Sequence, residues 1–173
     1  MAKHVYDLTV IGGGPVGMFA GFYAGERRLD TQLIESLPTL GGQVSALYPE
    51  KIIKDVAGVL PVAGQSLIDN LQQQLDSVQE QVSVFCDEEV LSLTKTDDDT
   101  FTVTTNKRET TTRAVLIANG SGAFAPRPLA VEYDHHLDGQ RVFYFVKSLQ
   151  TFAHQKVAIA GGGDAAVDWA LAL

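Results

Sequence analysis

Two glycine-rich loops, each lying between an apolar β-branched run and a helix-like segment, constrain the fold of this chain more than any other feature. Residues 6–17 read YDLTVIGGGPVG, and residues 156–166 read KVAIAGGGDAA. The small-residue positions of the G-x-G-x-x-G/A pattern in the two loops are Gly12, Gly14, Gly17, Gly161, Gly163 and Ala166. A single pattern of this kind is weak evidence, but two in strand–turn–helix settings predict an α/β protein that binds two dinucleotides.

The first loop has the residue types that a dinucleotide-binding turn requires. Gly12 permits the tight turn, Gly14 lets the backbone approach a pyrophosphate, and Gly17 allows helix and strand to pack closely. Pro15 suits the first position of the following helix, because its missing N–H would be unpaired there in any case. The free N–H groups at that helix start and the helix dipole favour an anion, so the loop predicts a pyrophosphate site.

An acidic residue follows the first loop at the expected distance. Glu35 lies 18 residues after Gly17 and directly follows the apolar end of the second predicted strand. A carboxylate at this position accepts hydrogen bonds from the hydroxyls of an adenosine ribose and repels a 2′-phosphate. The first site is therefore predicted to suit FAD or NAD better than NADP.

The remaining pattern alternates between strands and helices. The predicted strands are Val5–Ile11, Thr31–Glu35, Val82–Phe85, Val90–Thr94, Phe101–Thr105, Thr111–Ala118, Val142–Phe145 and Lys156–Ala160. Helices are predicted over Pro15–Leu29 and Gln65–Glu80 and from Asp164 onward, while Ser45–Val59 resembles a loop. The strands between Val90 and Ala118 form a predicted antiparallel meander that leads into a buried strand.

Composition excludes several classes of function. The 173 residues carry a formal net charge of −8, and a chain without a basic stripe is not expected to bind nucleic acid. No run of apolar residues is long enough for a membrane span, and no secretory leader precedes the first strand, so we expect a cytoplasmic protein. Cys86 is the single cysteine, so no internal dithiol can form. We expect no metal site, because the aspartates at 97–99 suit a hairpin tip and the histidines at 135–136 a connector.

Several longer stretches together resemble one known family. They are VIGGGPVG, IES and GGQVSALYPEKIIKDVAG in the first half, and IANGSGAFAPRPL, YFV and KVAIAGGGDAAVDWALAL in the second. These stretches resemble the FAD domain of the low-molecular-weight thioredoxin reductase family, and within it the thioredoxin-reductase-like ferredoxin–NADP reductases. The resemblance implies an FAD/NAD(P)-binding Rossmann-like fold of the three-layer ββα flavoprotein type, with a β-meander and the start of a second dinucleotide-binding domain.

The resemblance also implies roles for individual residues. Residues implied to bind FAD are Gly12, Gly14, Pro15, Val16 and Gly17 at the pyrophosphate, Glu35 at the ribose, Gly42 and Gln43 at the flavin and ribityl chain, Tyr48 stacked on the isoalloxazine ring, Val90 at adenine through its backbone, and Phe124 near the flavin. Residues implied to bind NADPH are Gly161, Gly163, Asp164 and Ala166 of the second loop. From the residues alone, Tyr48 could also be a loop-anchoring aromatic, and Val90 and Phe124 could be core residues.

The electron acceptor is predicted from a missing pair of cysteines. Thioredoxin reductases carry a C-x-x-C dithiol before the second glycine loop, and here those positions are Tyr144 and Lys147. Electrons would then pass from NADPH through FAD directly to ferredoxin or flavodoxin. Hydride transfer needs no acid–base side chain, so we name no catalytic residue. The clusters Arg27-Arg28, Lys51/Lys54 and Lys107-Arg108 are candidate contacts for an acidic acceptor, although scattered surface charge is an equal alternative.

The length of the chain limits this interpretation. We expect an N-terminal part of an FAD-binding domain at 1–118, followed at 119–173 by a connector and an incomplete NAD(P)H-binding domain. Such a chain resembles about the first half of a reductase, and alone it would not complete NADPH-dependent turnover. The alternatives are a thioredoxin reductase-like enzyme without the dithiol and a non-catalytic FAD- or NAD-binding regulatory module. The resemblance also implies a homodimer.

Overall fold

A computed structural model describes residues 4–96, 99–122 and 128–173. Its strands are β1 (Val5–Ile11), β2 (Thr31–Ile34), β3 (Ile52–Ile53), β4 (Val62–Ala63), β5 (Val82–Phe85), β6 (Val90–Lys95), β7 (Phe101–Thr105) and β8 (Glu109–Ile117). Its α-helices are α1 (Pro15–Glu26), α2 (Gly42–Leu47), α3 (Gly64–Asp76) and α4 (Asp164–Ala172). Two short 3₁₀ helices, His135–Leu137 and Leu149–Phe152, lie between β8 and α4.

Six strands form one mixed sheet in the order β5-β2-β1-β8-β7-β6. The four strands β5, β2, β1 and β8 are parallel, whereas β7 and β6 continue the sheet as an antiparallel meander. The nine residues of β8 pair at their start with β7 and over most of their length with β1. The predicted meander and the parallel strand that follows it are therefore confirmed. The predicted burial of that strand is wrong, because Ala114 is exposed and Ile117 is 66% exposed.

Helix α1 ends three residues earlier than the sequence predicts. Arg28 adopts a left-handed backbone with φ of 59°. Its N–H donates to the carbonyl of Gly25 at 2.8 Å, and the N–H of Leu29 donates to the carbonyl of Ala24 at 3.1 Å. This paired arrangement is the Schellman motif that terminates many helices, and it turns the chain toward β2.

The core lies between the sheet and the helix pair α1 and α3. The buried apolar side chains that form it include Val10, Met18, Leu33, Ile68, Leu75, Val78 and Val82. Small residues of α1 let the second helix approach, because a Cβ on Gly21 would lie 3.1 Å from Leu75 and one on Gly25 would lie 2.6 Å from Val78. From α3, Ile68 and Leu75 lie in this core and Leu71 packs against it.

Two predicted strands in the second half do not form among the described residues. Val142 makes only an isolated bridge with Asp138, and residues 156–160 form no strand and have no strand beside them. A strand needs a neighbour for its N–H and C=O groups, and no described segment supplies one here. The segment predicted as a loop between Ser45 and Val59 instead contains the end of α2 and all of β3.

Candidate functional site

A cavity of about 530 Å³ opens at the carboxyl ends of β1, β2 and β8. In open parallel sheets this edge is where ligands bind, because loops and helix N-termini converge there. Residues that line the cavity include Gly12, Gly14, Pro15 and Val16 after β1, Glu35, Ser36 and Leu37 after β2, Gly42, Gln43, Val44 and Tyr48 of the α2 segment, Glu88 and Glu89 before β6 with Val90 at its start, and Asn119, Gly120 and Gly122 after β8. Segments distant in the sequence thus enclose a single space.

The first glycine loop has the predicted strand–turn–helix geometry. Gly12 has φ of 104°, and a Cβ there would lie 2.6 Å from the carbonyl oxygen of Ala118, so only glycine fits the turn. Gly14 precedes α1, Pro15 is its first residue, and no described side chain caps this helix end. The N–H groups of the first turn have no partner within the helix, which leaves an anion-binding helix start facing the cavity.

Glu35 lies at the end of β2 with only 6% of its surface exposed. One oxygen, Oε2, accepts a hydrogen bond from the N–H of Gly13 at 2.7 Å. The other, Oε1, accepts from the N–H of Leu37 at 2.7 Å and from Oγ of Ser36 at 3.2 Å. An ionised carboxylate has about four acceptor positions, so one remains for a ligand hydroxyl. The structure therefore gives Glu35 a second role that the sequence does not reveal, because it ties the glycine loop to the end of β2.

The α2 segment forms the opposite side of the cavity. Gln43 donates from Nε2 to Oγ of Ser121 at 3.0 Å, which connects α2 to the residues after β8. Tyr48 follows the end of α2 and is half-buried against the core cluster while it lines the cavity. Both interpretations of Tyr48, as a loop anchor and as a ring that contacts the ligand, are compatible with this placement.

The wall between β5 and β6 includes two residues that sequence analysis missed. Glu88 and Glu89 line the cavity beside Val90. Glu88 is 4% exposed and pairs with the guanidinium of Arg108 at 2.8 Å. No motif marks these carboxylates, since their place in the wall depends on a strand that pairs with a distant part of the chain. Asn119 and Gly120 were also missed, although they directly follow a parallel strand and this position could have identified them.

The second glycine loop does not reach the cavity. Gly161, Gly163 and Asp164 of the second motif are exposed and Ala166 is partly buried, and α4 begins at Asp164 directly after Gly163. Two polar contacts join this part of the chain to the segment after α2: Lys51 Nζ lies 2.9 Å from Asp168 Oδ2, and the N–H of Leu149 donates to Glu50 Oε2 at 2.8 Å. Phe124, also predicted to contact the flavin, lies outside the described residues.

The described residues outside this cavity offer neither a metal site nor a reactive thiol. Across residues 4–96, 99–122 and 128–173, no group of three or more His, Cys, Asp or Glu side chains could hold a metal ion. Burial raises the pKa of the Cys86 thiol, and the nearby carboxylate of Glu35 raises it further. A raised pKa lowers the reactive thiolate fraction, so Cys86 has the environment of a packed residue. No helix in the described part of the chain is long and apolar enough to cross a membrane.

A parallel sheet with a glycine turn after β1, an acidic residue after β2 and a cavity over the strand ends defines a dinucleotide-binding domain of the α/β class. The chain belongs to the family described as pyridine nucleotide-disulphide oxidoreductase, which matches residues 6–173.

Curated proteins with sequences similar to this chain are named ferredoxin–NADP reductases. The ferredoxin–NADP reductase of Lacticaseibacillus paracasei is 50% identical over 171 residues, which cover 99% of this chain and 52% of that protein. The ferredoxin–NADP reductase of Limosilactobacillus reuteri is 51% identical over 173 residues, which cover 100% of this chain and 52% of that protein. The chain thus spans about half the length of the curated relatives it matches, and the predicted resemblance to this group is confirmed.

Solved structures agree with the fold. Thioredoxin reductase from Streptococcus pyogenes matches with a TM-score of 0.60 and 25% identity, over 75% of this chain and 39% of that one. The bacillithiol disulfide reductase of Staphylococcus aureus matches with a TM-score of 0.69 and 23% identity, over 98% of this chain and 54% of that one. The predicted α/β, Rossmann-like class is confirmed.

Proposed function

We propose that this chain is the FAD-binding N-terminal part of an NADPH-dependent flavoprotein reductase that reduces ferredoxin or flavodoxin. One observation carries the proposal: the first glycine loop, Glu35, the α2 segment and Val90 all line the same cavity at the carboxyl ends of the parallel strands. Named relatives of about 50% identity support the same activity.

The residues around the cavity fit the parts of FAD. A Cβ built on Gly14 would lie 3.9 Å from its nearest neighbour, the Cα of Gly42, so the space beside Gly14 is free for a pyrophosphate. The start of α1 supplies N–H donors for that group. The fourth acceptor position of Glu35 would take a ribose hydroxyl, and the edge at Val90 would take adenine.

The flavin end of the cavity is assigned to the α2 segment. Gly42 and Gln43 would lie along the ribityl chain, with Gln43 oriented by its hydrogen bond to Ser121. Tyr48 would stack on the ring, where an aromatic side chain loses little conformational freedom on binding. Bound FAD supplies the hydride and single-electron chemistry, and the protein's part is to place and shield it.

We assign NADPH to the second glycine loop and divide the chain at residues 1–118 and 119–173. The helix start at Asp164 after Gly163 supports this assignment, because it repeats the turn-to-helix arrangement of the first loop. Gly161 belongs to that turn, and Asp164 and Ala166 lie at the start of α4. The exposed surface of this second loop leaves it accessible to a nucleotide.

The proposal also covers the electron acceptor, the oligomeric state and the cellular location of the protein. Positions 144 and 147 carry tyrosine and lysine instead of a dithiol, so electrons would leave the flavin directly. Among the basic clusters, Arg108 is engaged inside the protein and Lys51 pairs with Asp168, so neither is a freely available contact for an acidic acceptor. We also propose a homodimer in the cytoplasm, where an unpaired cysteine such as Cys86 stays reduced.

The test is the visible absorbance spectrum of the gently purified chain, with the released cofactor identified by chromatography. Bound FAD supports the proposal, whereas bound NAD, or a colourless protein that takes up no added FAD, contradicts it. Two matched substitutions locate the site. Gly14→Ala places a methyl group in the cavity and is expected to weaken FAD binding about tenfold or more. In the control Gly162→Ala, the added Cβ has no neighbour within 4 Å, so the substitution should leave FAD binding unchanged.

A further inference from the structure

The turn between β7 and β8 contacts Glu88 and Glu89, which form one wall of the cavity proposed to bind FAD. We propose that Arg108, in this turn, is a positioning residue that fixes the adenosine end of the site through Glu88. The inference rests on the proposed function, because it concerns how the same cavity selects its ligand. It predicts that loss of Arg108 weakens the binding of FAD far more than the binding of FMN.

Arg108 makes three contacts that together fix its guanidinium. Its Nε donates to Glu88 Oε1 at 2.8 Å, and Nη2 donates to Gln32 Oε1 at 3.2 Å. Its guanidinium carbon lies 3.5 Å from the centre of the Phe85 ring. Only a planar fork with several donors can make all three contacts, so lysine cannot replace it fully.

The segment that Arg108 contacts is also bound to the end of β2. The N–H of Glu88 donates to the carbonyl of Glu35 at 2.9 Å, and the N–H of Asp87 donates to the carbonyl of Leu37 at 3.0 Å. Asp87 has φ of 54°, a left-handed conformation that persists only where neighbouring contacts enforce it. The wall residue Glu88 is therefore positioned by Arg108 on one side and by the residue proposed to bind ribose on the other.

A second pair of hydrogen bonds clamps the next residue of the wall to the same turn. Asn106 Oδ1 accepts from the N–H of Glu89 at 3.0 Å, and the N–H of Asn106 donates to the carbonyl of Glu89 at 3.0 Å. These bonds do not involve Arg108. They hold the turn near the wall, whereas the guanidinium neutralises the buried carboxylate of Glu88.

Removal of the guanidinium leaves the Glu88 carboxylate buried without its cation. An unpaired buried charge is strongly unfavourable, so the side chain would move toward water, and the open cavity is beside it. That movement would shift the edge at Val90 where adenine is placed. The pyrophosphate and flavin ends would change little, because the glycine loop and α2 are held by other contacts.

A comparison of FAD with FMN distinguishes a change at the adenosine end of the cavity from a general loss of structure. FMN ends at its phosphate and has no adenosine, so it does not extend to the wall at Glu88 and Val90. The test is to measure the affinities of FAD and of FMN for the chain by flavin fluorescence titration, well below the unfolding temperature. A purely structural role for Arg108 would lower thermal stability without changing the ratio of the two affinities.

The variants are chosen so that charge alone cannot explain the result. Arg108→Leu is expected to weaken FAD binding about tenfold or more, since hydrogen bonds to charged groups are involved, and to change FMN binding less than about twofold. Arg108→Lys should restore part of the FAD affinity. The control Arg113→Leu removes the same charge from a residue that is 69% exposed and bonded to Asp7 at 3.0 Å, and it should change neither affinity.

Hydrogen exchange of the flavin-free protein gives a measurement that does not depend on folding yield or ligand. The Arg108→Lys variant should show faster exchange of the amides of Glu88 and Asp87 than the wild type, with β1 unchanged. Equal losses of FAD and FMN affinity, an unchanged FAD affinity, or unchanged exchange at Glu88 would overturn the inference. Failure of the wild-type chain to bind either flavin would instead refute the proposed function, and the inference with it.

Discussion

Replacement of Glu35 by glutamine tests whether this residue maintains the glycine loop as well as binding ligand. Its carboxylate accepts from the N–H of Gly13 on one oxygen and from the N–H of Leu37 on the other, both at 2.7 Å. The side-chain amide of glutamine has one acceptor oxygen, so its NH₂ group must face one of these two donors. The substitution keeps the shape of the side chain and removes one buried hydrogen bond together with the charge.

The magnitude follows from this geometry. A buried donor left without an acceptor costs about 1–3 kcal/mol, and the change from a charged to a neutral acceptor weakens the other bond by about 1 kcal/mol. The free energy of unfolding should therefore fall by about 2–4 kcal/mol. For a chain of this length each kcal/mol lowers the unfolding temperature by about 2–4 °C, so the expected decrease is about 4–16 °C.

The assay is thermal unfolding followed by circular dichroism without flavin. Glu89→Gln is the matched control, because it makes the same chemical change on an exposed side chain in the same cavity wall. Exposed substitutions of this kind usually change stability by less than about 0.5 kcal/mol. If the two variants unfold at the same temperature, the hydrogen bonds of Glu35 do not maintain the loop.

Three further predictions concern packing and titration. Gly17→Ala places a methyl group against the carbonyl oxygen of Gly12, so it should lower the free energy of unfolding by about 1–3 kcal/mol, as urea denaturation can measure. Because burial raises the pKa of Cys86, its reaction with a disulfide reagent at pH 8 should be slower than that of a free thiol and should match it only after unfolding. Hydrogen bonds with Tyr144 and Asp138 raise the pKa of Tyr133. Its contribution to stability is therefore complete below the ordinary tyrosine pKa of about 10 and is lost as the pH rises through the higher folded value. Ultraviolet titration should show that Tyr133 ionises at a higher pH in the folded than in the unfolded chain, and Tyr133→Phe should remove this step.

The second half of the chain shows where local patterns mislead. Residues 156–160 have the β-branched composition of a strand, but none of the described segments pairs with them. Composition indicates that a segment can be a strand, whereas formation of the strand depends on a neighbour that may lie anywhere in the chain. The start of α4 at Asp164 was predicted correctly, because a turn and a helix start depend on adjacent residues.

The sequence by itself determined the features that depend on residues close together in the chain. The turn at Gly12, the helix that starts at Pro15 and the place of Glu35 after β2 all follow from motif spacing. Only the tertiary structure decided the rest of the cavity, because Arg108 reaches Glu88 across 20 positions and Gln32 across 76. Such pairs form when strand pairing brings distant segments together, and nothing in the neighbouring residues specifies which charges will meet.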